Sequence, residues 1–389
     1  MKTDRLDIGF IPLLDAAPLI VAVEMGFAEE EGLSLNLSPA PSWSALRDQL
    51  CFGHLAAAHM LSPAPVASAM GLGGFGAELH ALSILSFNGN VIGVRKSLAQ
   101  TMRDAGYAFD FSNAHMAGHA LIAAKPEGLR IGVPFPFSMH AELIHYWLSA
   151  LGIAPNDTVK VRTIPPSLMA DAVRNDEVDA FCVGEPWGSR CVDAGVAELL
   201  LPGVAIWALA PEKVLAVRAD WAKQEPDLAA RLVRALWRAG RWLVQPSSRI
   251  LISEILSRSS YLNLPTELLE RGLSGRFQTN SQGKTNQVDG FAHFFTGAAG
   301  FPWRSQAAWI AQNLAHRVGA DVARSIRQGM ATYRTDIYRD ALRDITDDLP
   351  LGSAKIEGAI LEPTPVGSKS GRLILGKDSF FDGRVFEYA

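Results

Sequence analysis

The stretch from Ile8 to Leu33, IGFIPLLDAAPLIVAVEMGFAEEEGL, decides the fold of this chain. Its first residues alternate large apolar side chains with small ones, which predicts a half-buried strand that ends at Pro12. A helix follows, because Asp15 can cap a helix N-terminus and Pro18 is tolerated in a first turn. A strand that runs into a helix N-terminus leaves unpaired backbone N–H groups, which suit a bound anion. The same pattern also fits an ordinary strand–helix unit of an α/β domain.

Strand–helix alternation continues through the first half of the chain. Apolar runs predict strands at 33–37, 54–60, 79–87, 91–94, 129–133, 159–164 and 178–184. Most of these strands precede a loop rich in Pro or Gly and then a helix; Ser138, for example, can cap a helix that begins at Met139. From Pro226 amphipathic helices dominate, and the last forty residues, rich in Gly, Ser and Pro, are expected to wrap the surface.

This order of elements predicts an α/β fold with two lobes. Residues 207–221, WALAPEKVLAVRADW, are predicted to form two strands around a turn that returns the chain to the first lobe. Lobe I is therefore expected to contain residues 1–93 and 207–389, and lobe II residues 94–206. Loops at the carboxyl ends of the strands face the cleft between the lobes, where a ligand is expected.

Composition and charge narrow the range of functions. The chain of 389 residues has a net charge of −4, with 48% hydrophobic and 20% charged residues. Because there is no overall positive field, direct binding of nucleic acid is not expected, and any anion site has to be local. Three scattered cysteines make no disulfide framework, and no apolar run is long enough to span a membrane. No leader-like apolar segment precedes the first strand, so a cytoplasmic location is expected.

No motif for catalysis, a cofactor or a metal is complete in the sequence. SQGKTN (281–286) contains GKT, but Gln278 stands where a phosphate loop needs its first glycine. GEPWGS (184–189) lacks the Gly-x-Ser-x-Gly spacing of a nucleophile elbow. His115 and His119 have a helical spacing that suits a metal, but a third ligand is missing, and solvated helix histidines are the simpler interpretation. These patterns favour a binding protein without a cofactor over an enzyme.

Several segments occur together in one order: SWSALRDQL, AAHMLSPAPV, NGNVIGV, PFPFSMHAELIHYWLSALGI, VGEPWGSR, PEKVLAVRADW, FPWRSQAAW and FFDGRVF. Together with the opening stretch, they make the chain similar to the nitrate- and bicarbonate-binding receptors of bacterial ABC importers. The similarity covers nearly the whole chain. It implies a two-lobed clamp of the type II periplasmic-binding-protein kind, with a helical C-terminal region.

The resemblance also assigns a role to Lys213, which matches the family lysine that contacts nitrate. A cleft ammonium about 4 Å from an anion contributes roughly 4 kcal/mol of attraction at an effective dielectric near 20, before desolvation. Bicarbonate receptors are expected to have an acidic residue there that completes a calcium site, so the lysine favours nitrate or nitrite. From spacing alone, a surface lysine paired with Glu212 is the favoured interpretation, and the resemblance is what favours the site.

The remaining candidate contacts to nitrate donate hydrogen bonds or cover a flat ligand: Trp43, Asn88, Gly89, Asn90, His140 and Pro166. His140 lies at a helix start, where the helix dipole and the imidazole N–H both favour an anion. Trp43 offers an indole N–H and a ring face. The resemblance implies Gln in nitrate receptors where Asn90 stands, and the shorter amide reaches about 1.5 Å less far, so the contact of Asn90 is either absent or water-mediated. Core packing, capping and an ordinary turn are the alternative roles of these residues.

The resemblance extends to the cytosolic NasS-type nitrate/nitrite sensors, which hold an RNA-binding antiterminator of the ANTAR class when nitrate is scarce. It therefore implies a nitrate or nitrite sensor with such a partner. One alternative is the receptor of a nitrate or other small-anion ABC importer. Another is an enzyme related to the two-lobed proteins of pyrimidine synthesis, in which a histidine such as His140 would react with a cofactor. We expect Lys213→Glu to abolish nitrate binding while the fold is kept.

Overall fold

The computed structural model describes residues 3–154, 158–245, 247–295 and 297–388. Its strands, in chain order, are β1 (Asp4–Phe10), β2 (Leu33–Pro39), β3 (Ala57–Leu61), β4 (Leu79–Asn88), β5 (Asn90–Arg95), β6 (Leu129–Val133), β7 (Val159–Thr163), β8 (Ala180–Gly184), β9 (Ala197–Pro202), β10 (Pro211–Arg218), β11 (Arg276–Gln278), β12 (Thr285–Gln287), β13 (Ala292–His293), β14 (Thr364–Pro365) and β15 (Ile374–Leu375). Most of the strands predicted from apolar runs are present, with ends shifted by a few residues.

The two large sheets have the same topology over five strands, and the first sheet has β13 as a sixth strand at its edge. The first is ordered β2-β1-β3-β10-β4-β13 and the second β7-β6-β8-β5-β9. In the first sheet β1 runs parallel to β2 and β3, whereas β10 is antiparallel to both of its neighbours. In the second sheet β6 runs parallel to β7 and β8, and β5 is the antiparallel insertion. The chain therefore passes between the sheets twice, once before β5 and once before β10.

The first crossing lies at Asn88 and Gly89, which both have positive φ, +56° and +93°. Such values favour glycine and tolerate asparagine, so this Asn-Gly pair allows the sharp change of direction. The whole of β5 belongs to the second sheet, so the predicted lobe boundary between residues 93 and 94 falls inside a strand. The change of sheet occurs about four residues earlier.

The second crossing differs from the prediction of two strands within 207–221. Only β10 forms there, and the edge strand β9 lies upstream of that segment. Trp207 makes an isolated bridge with Phe380 of the C-terminal segment instead. The pattern WALA alternates as a strand would, but the tail, which is distant in sequence, supplies its backbone partner.

The opening stretch forms its predicted strand and helix, with one correction. A 3-10 turn, Leu14–Ala16, precedes the helix Ala17–Glu24, and Pro18 lies in the first turn as predicted. Asp15 does not cap this helix. The N-cap residue is Ala16, and no side chain there accepts a hydrogen bond from the helix N-terminus. The Asp15 carboxylate instead points to residues far away in sequence.

Helices surround both sheets. Their bounds are Ala17–Glu24, Phe27–Glu30, Trp43–Cys51, Pro63–Ala69, Lys96–Asp104, Ala114–Ala124, Met139–Ala150, Met169–Arg174, Trp187–Asp193, Ala219–Gln224, Pro226–Leu243, Ser248–Ser257, Thr266–Ser274, Arg304–Val318, Val322–Thr332 and Thr335–Leu342. Ser138 caps the helix that follows it, since its hydroxyl accepts from the Ala141 N–H. In the part of the chain that the structure describes, no helix has both the length and the apolar character needed to cross a bilayer.

The C-terminal region contacts both halves of the molecule. Trp309 packs its ring on Trp207 and Phe380, with centroids 4.7 and 5.9 Å away. Tyr146, on a helix beside the second sheet, packs against Phe380 with tilted rings and donates a hydrogen bond to Asp382 at 2.9 Å. The tail therefore wraps the surface as predicted, and it also links the two sheets.

Candidate functional site

Five ionisable side chains meet between the two sheets, and each is at most 3% exposed: Asp15, His59, His140, Glu212 and Lys213. The first sheet contributes four of them. Asp15 follows β1, His59 lies in β3, and the other two are consecutive in β10. His140 comes from the other side, in the first turn of the helix Met139–Ala150 that follows β6.

The Lys213 ammonium lies at the centre of the cluster. Its Nζ is 2.7 Å from Asp15 Oδ2 and 2.9 Å from Glu212 Oε1. It also lies 5.5 Å from the centroid of the Trp43 ring, within range of a cation–π contact. Burial alone would lower the pKa of Lys213, but the Asp15 and Glu212 charges outweigh burial and raise it. The side chain therefore stays charged inside the protein.

The two carboxylates have different environments. Burial opposes ionisation of Asp15, yet Lys213 and His59 together hold its pKa well below the usual range. His59 Nε2 lies 2.9 Å from Asp15 Oδ1. For Glu212 burial is the larger effect and raises the pKa, although Lys213 and Asn90 oppose it. Asp15 is thus the permanent counter-charge of the ammonium, and Glu212 is the carboxylate that protonates more readily.

Glu212 receives partners from both sheets. Asn90, the first residue of β5, donates from Nδ2 to Glu212 Oε2 at 2.7 Å, and Lys213 donates to Oε1. His140 Nδ1 lies 3.2 Å from Oε1, although the orientation of the ring is not that of a hydrogen bond. Burial keeps the pKa of His140 well below its ordinary value, so the ring is neutral.

A β-bulge brings the side chains of Glu212 and Lys213 together. Consecutive residues of a regular strand point to opposite faces, so neighbours in sequence do not normally meet. The pairing of β10 with β4 shifts register on both sides of Lys213. Such irregularities re-aim side chains and are frequent beside functional sites. The pairing of these two residues, inferred from spacing as a surface contact, is therefore present but completely buried.

Four of the seven predicted contact residues converge on this cluster: Trp43, Asn90, His140 and Lys213. Among the described residues, Trp43 Nε1, Asn90 Oδ1 and His140 Nε2 have no hydrogen-bond partner. Buried polar atoms are rarely left without a partner, and each such atom requires an explanation. Two of these three atoms, on Trp43 and His140, can donate to an anion.

Two other predicted contacts, Asn88 and Gly89, make hydrogen bonds at the chain crossing. The Asn88 amide donates to the Ala208 carbonyl at 2.9 Å and accepts from the Ala210 N–H at 3.0 Å, so it fixes the chain crossing. The Gly89 carbonyl accepts from the Glu185 N–H at 3.0 Å and belongs to the turn. Pro166 begins a 3-10 turn after the edge strand β7, and its contact with nitrate stays a prediction.

Sequence reasoning missed three members of the cluster: Asp15, His59 and Glu212. Asp15 was assigned to capping, although a carboxylate in the loop after the first strand also fits an edge-of-sheet site. His59 lies inside the buried strand AAHML, and a histidine in an otherwise apolar strand signals a buried partner.

His115 and His119 both lie on the helix Ala114–Ala124, and His115 packs against Phe381 at 4.8 Å.

The cluster combines a buried ammonium and two carboxylates with neutral polar side chains. Within the described ranges no group of three or more His, Cys, Asp or Glu side chains is arranged to hold a metal ion. The Lys213 ammonium lies where a cation between the Asp15 and Glu212 carboxylates would have to lie. Around it, Trp43 Nε1 and His140 Nε2 can donate to an anion, whereas the Asn90 amide N–H already donates to Glu212.

Known proteins share this architecture. The nitrate import ATP-binding protein NrtC of Synechocystis sp. is 31% identical over 80% of this chain, and the bicarbonate-binding protein CmpA of Synechococcus sp. is 25% identical over 99% of it. The chain covers 84% of CmpA but 46% of NrtC, so it spans about half the length of the curated relatives it matches first.

The crystal structure of the periplasmic nitrate-binding protein NrtA from Synechocystis PCC 6803 superposes with a TM-score of 0.84 at 26% identity, covering 99% of this chain and 96% of that one. The predicted two-lobed periplasmic-binding-protein fold is thereby confirmed. Residues 1–257 match the family model described as NMT1-like. This match covers well over half of the sequence, so the chain belongs to the NMT1-like family.

Proposed function

We propose that this protein binds nitrate or nitrite between two lobes and makes or breaks no bond in it. The observation that carries the proposal is the convergence of Trp43, Asn90, His140 and Lys213 from both sheets on one buried point. Nitrate is a flat monoanion that forms weak hydrogen bonds, so its water shell has to be replaced by several convergent donors. A buried ammonium with neutral N–H donors around it meets that requirement.

The lobes of this proposal follow the sheets. Lobe I contains the first sheet and the C-terminal region, and lobe II contains the second sheet, with the first boundary at Gly89 rather than between 93 and 94. Lys213 and Trp43 then belong to lobe I, whereas Asn90 and His140 belong to lobe II. An anion that contacts both sets stabilises the closed arrangement, because a ligand shifts an equilibrium only through unequal affinity for its two states.

Nitrate and nitrite fit the cluster better than bicarbonate does. A calcium-assisted bicarbonate site needs its carboxylates available to the cation, whereas Lys213 already bridges Asp15 and Glu212. The structural likeness to a nitrate-binding protein supports the same choice.

A ligand panel tests this function directly. We expect nitrate and nitrite to raise the melting temperature, and bicarbonate and sulfate to have little effect with or without calcium. At a concentration 100 times the Kd, binding to the folded state alone adds about 2.7 kcal/mol to stability. Isothermal titration calorimetry should then give one site per chain. A shift only with bicarbonate and calcium would contradict the proposal.

We propose a sensor role on the basis of the resemblance to the NasS-type proteins. In this role the closed and open forms differ in affinity for an ANTAR-type antiterminator, and the protein acts in the cytoplasm. The similarity to nitrate import proteins supports the alternative of an importer receptor. Pull-down of the antiterminator with and without nitrate separates the two: release by nitrate supports the sensor. Association with an importer and a periplasmic location support the receptor.

Gly203 is expected to control the position of Asn90. A Cβ at this residue would lie 1.9 Å from Asn90 Oδ1, so Gly203→Ala must displace the amide that lobe II contributes. We expect roughly tenfold weaker nitrate binding by calorimetry and, from overpacking, a loss of about 1–3 kcal/mol in stability. Gly376→Ala is the control, because no atom lies within 4 Å of the added methyl. If the affinity of Gly203→Ala for nitrate equalled that of the wild type, Asn90 would not be a nitrate contact.

A further inference from the structure

The Glu212 carboxylate has the shape and charge of the proposed ligand. A carboxylate and a nitrate ion are both flat monoanions with oxygen acceptors in one plane. Glu212 Oε1 accepts from the Lys213 ammonium at 2.9 Å, and Oε2 accepts from the Asn90 amide at 2.7 Å. His140 Nδ1 lies 3.2 Å from Oε1. Three of the four residues that we assign to nitrate therefore already surround an anionic group of the protein itself.

We infer that the Glu212 carboxylate is an internal competitor that occupies the anion position and has to be neutralised or displaced before an external anion binds. The inference rests on the proposed function and adds a residue that sets affinity. Side-chain burial supports it, since Glu212 and its partners Asn90, His140 and Lys213 have no exposed surface. A second anion beside an ionised Glu212 would place three negative groups around one ammonium in a poorly solvated space.

The consequence is a coupling between protons and the anion. Protonation of Glu212 removes its charge, releases the Lys213 and Asn90 donors, and leaves Asp15 as the single counter-ion of the ammonium. The pKa of Glu212 is raised by burial, so this protonation is accessible at higher pH than for an ordinary glutamate. Nitrate binding should then tighten as pH falls, by up to tenfold per unit while Glu212 remains ionised in the unliganded protein.

Other titratable groups face Glu212 and have to be considered. Lys213 adjoins it on β10, Asp15 faces it from the loop after β1, and His59 from β3. His140 faces it from lobe II, and Cys182 of β8 feels its charge. Lys213 and Asp15 stay ionised, and burial lowers the pKa values of both histidines. Burial therefore favours protonation of Glu212, whereas it disfavours protonation of the two histidines.

The test measures nitrate affinity in Glu212→Gln from pH 6 to pH 9. We expect at least tenfold tighter binding than wild type at pH 8, with little dependence on pH. Glu357→Gln is the matched control, because Glu357 is equally buried and pairs with Lys355 at 2.5 Å, outside the site. Its affinity and pH profile should equal those of the wild type. Equal or weaker binding in Glu212→Gln would overturn the inference.

A measurement on the wild type does not depend on how well the variant folds. Calorimetry in buffers of different ionisation enthalpy counts the protons exchanged, and we expect uptake of about one proton per nitrate at pH 8. Nitrate binding without proton uptake overturns the role of Glu212 but leaves the proposed function intact. If wild type binds neither nitrate nor nitrite at any pH, the proposed function fails and the inference fails with it.

Discussion

Replacing Lys213 by methionine is expected to abolish nitrate binding and to lower the free energy of unfolding by about 3–5 kcal/mol. Methionine retains most of the stem volume but removes the ammonium that lies 2.7 Å from Asp15 and 2.9 Å from Glu212. Two buried carboxylates then face each other without a counter-charge. Urea denaturation measures the loss of stability, and calorimetry measures the loss of binding.

Lys355→Met separates the two effects of that change. The Lys355 ammonium also pairs with two fully buried carboxylates, Glu357 and Asp378, in a cluster within the C-terminal segment. We expect a similar loss of stability and an affinity for nitrate within about twofold of wild type. If Lys213→Met kept wild-type affinity, the ammonium would not belong to the site, whatever its effect on stability.

The buried cluster also revises the expected result for Lys213→Glu. From the sequence, this substitution should abolish nitrate binding and leave the fold intact, as it would for a lysine lining an open cleft. In the structure, Lys213→Glu would place a third carboxylate beside those of Asp15 and Glu212, which are both at most 3% exposed. Loss of stability should therefore accompany loss of binding, and the methionine variant with its Lys355 control is the cleaner experiment.

Local patterns predicted the elements that position the site, but not the contacts made within it. The β1 strand, the helix at Met139 and its Ser138 cap each depend on residues close in sequence, and the structure contains all three. The change of sheet comes before the predicted lobe boundary because β5 pairs with β8 and β9, about 90 to 110 residues further on, and its apolar run does not indicate which sheet it joins.

The contacts of Asp15 show why the remainder of the site could not be predicted. A carboxylate just before a helix is usually a cap, but here it pairs with His59 and Lys213, 44 and 198 residues away in sequence. Glu212 reaches the cluster through a bulge in β10, and no sequence rule fixes where such a bulge falls. The Asn88 amide is a group that could donate to an anion. It instead makes hydrogen bonds with the backbone of Ala208 and Ala210, where the chain passes between the sheets.

The last large effect is expected at Arg317, which joins the C-terminal helix Arg304–Val318 to the helix that carries His140. Its Nη2 lies 3.0 Å from Oε1 of Glu142, a carboxylate without exposed surface. Burial raises the pKa of Glu142 to about 7, against the opposing charge of Arg317. Because this pKa lies above its value in the unfolded chain, the protonated form stabilises the fold at low pH. That stability is lost as pH rises through about 7.

Arg317→Met should therefore lower stability by about 3 kcal/mol at pH 9 and by less than about 1 kcal/mol at pH 5, where Glu142 is protonated in either protein. Urea denaturation across this range gives the slope, and Glu142→Gln should remove most of the pH dependence. The control is Arg343→Met, since Arg343 and its partner Asp340 are both more than 60% exposed and such pairs contribute less than about 1 kcal/mol. A loss in Arg317→Met that does not change with pH would show that the guanidinium acts only by packing on Phe137.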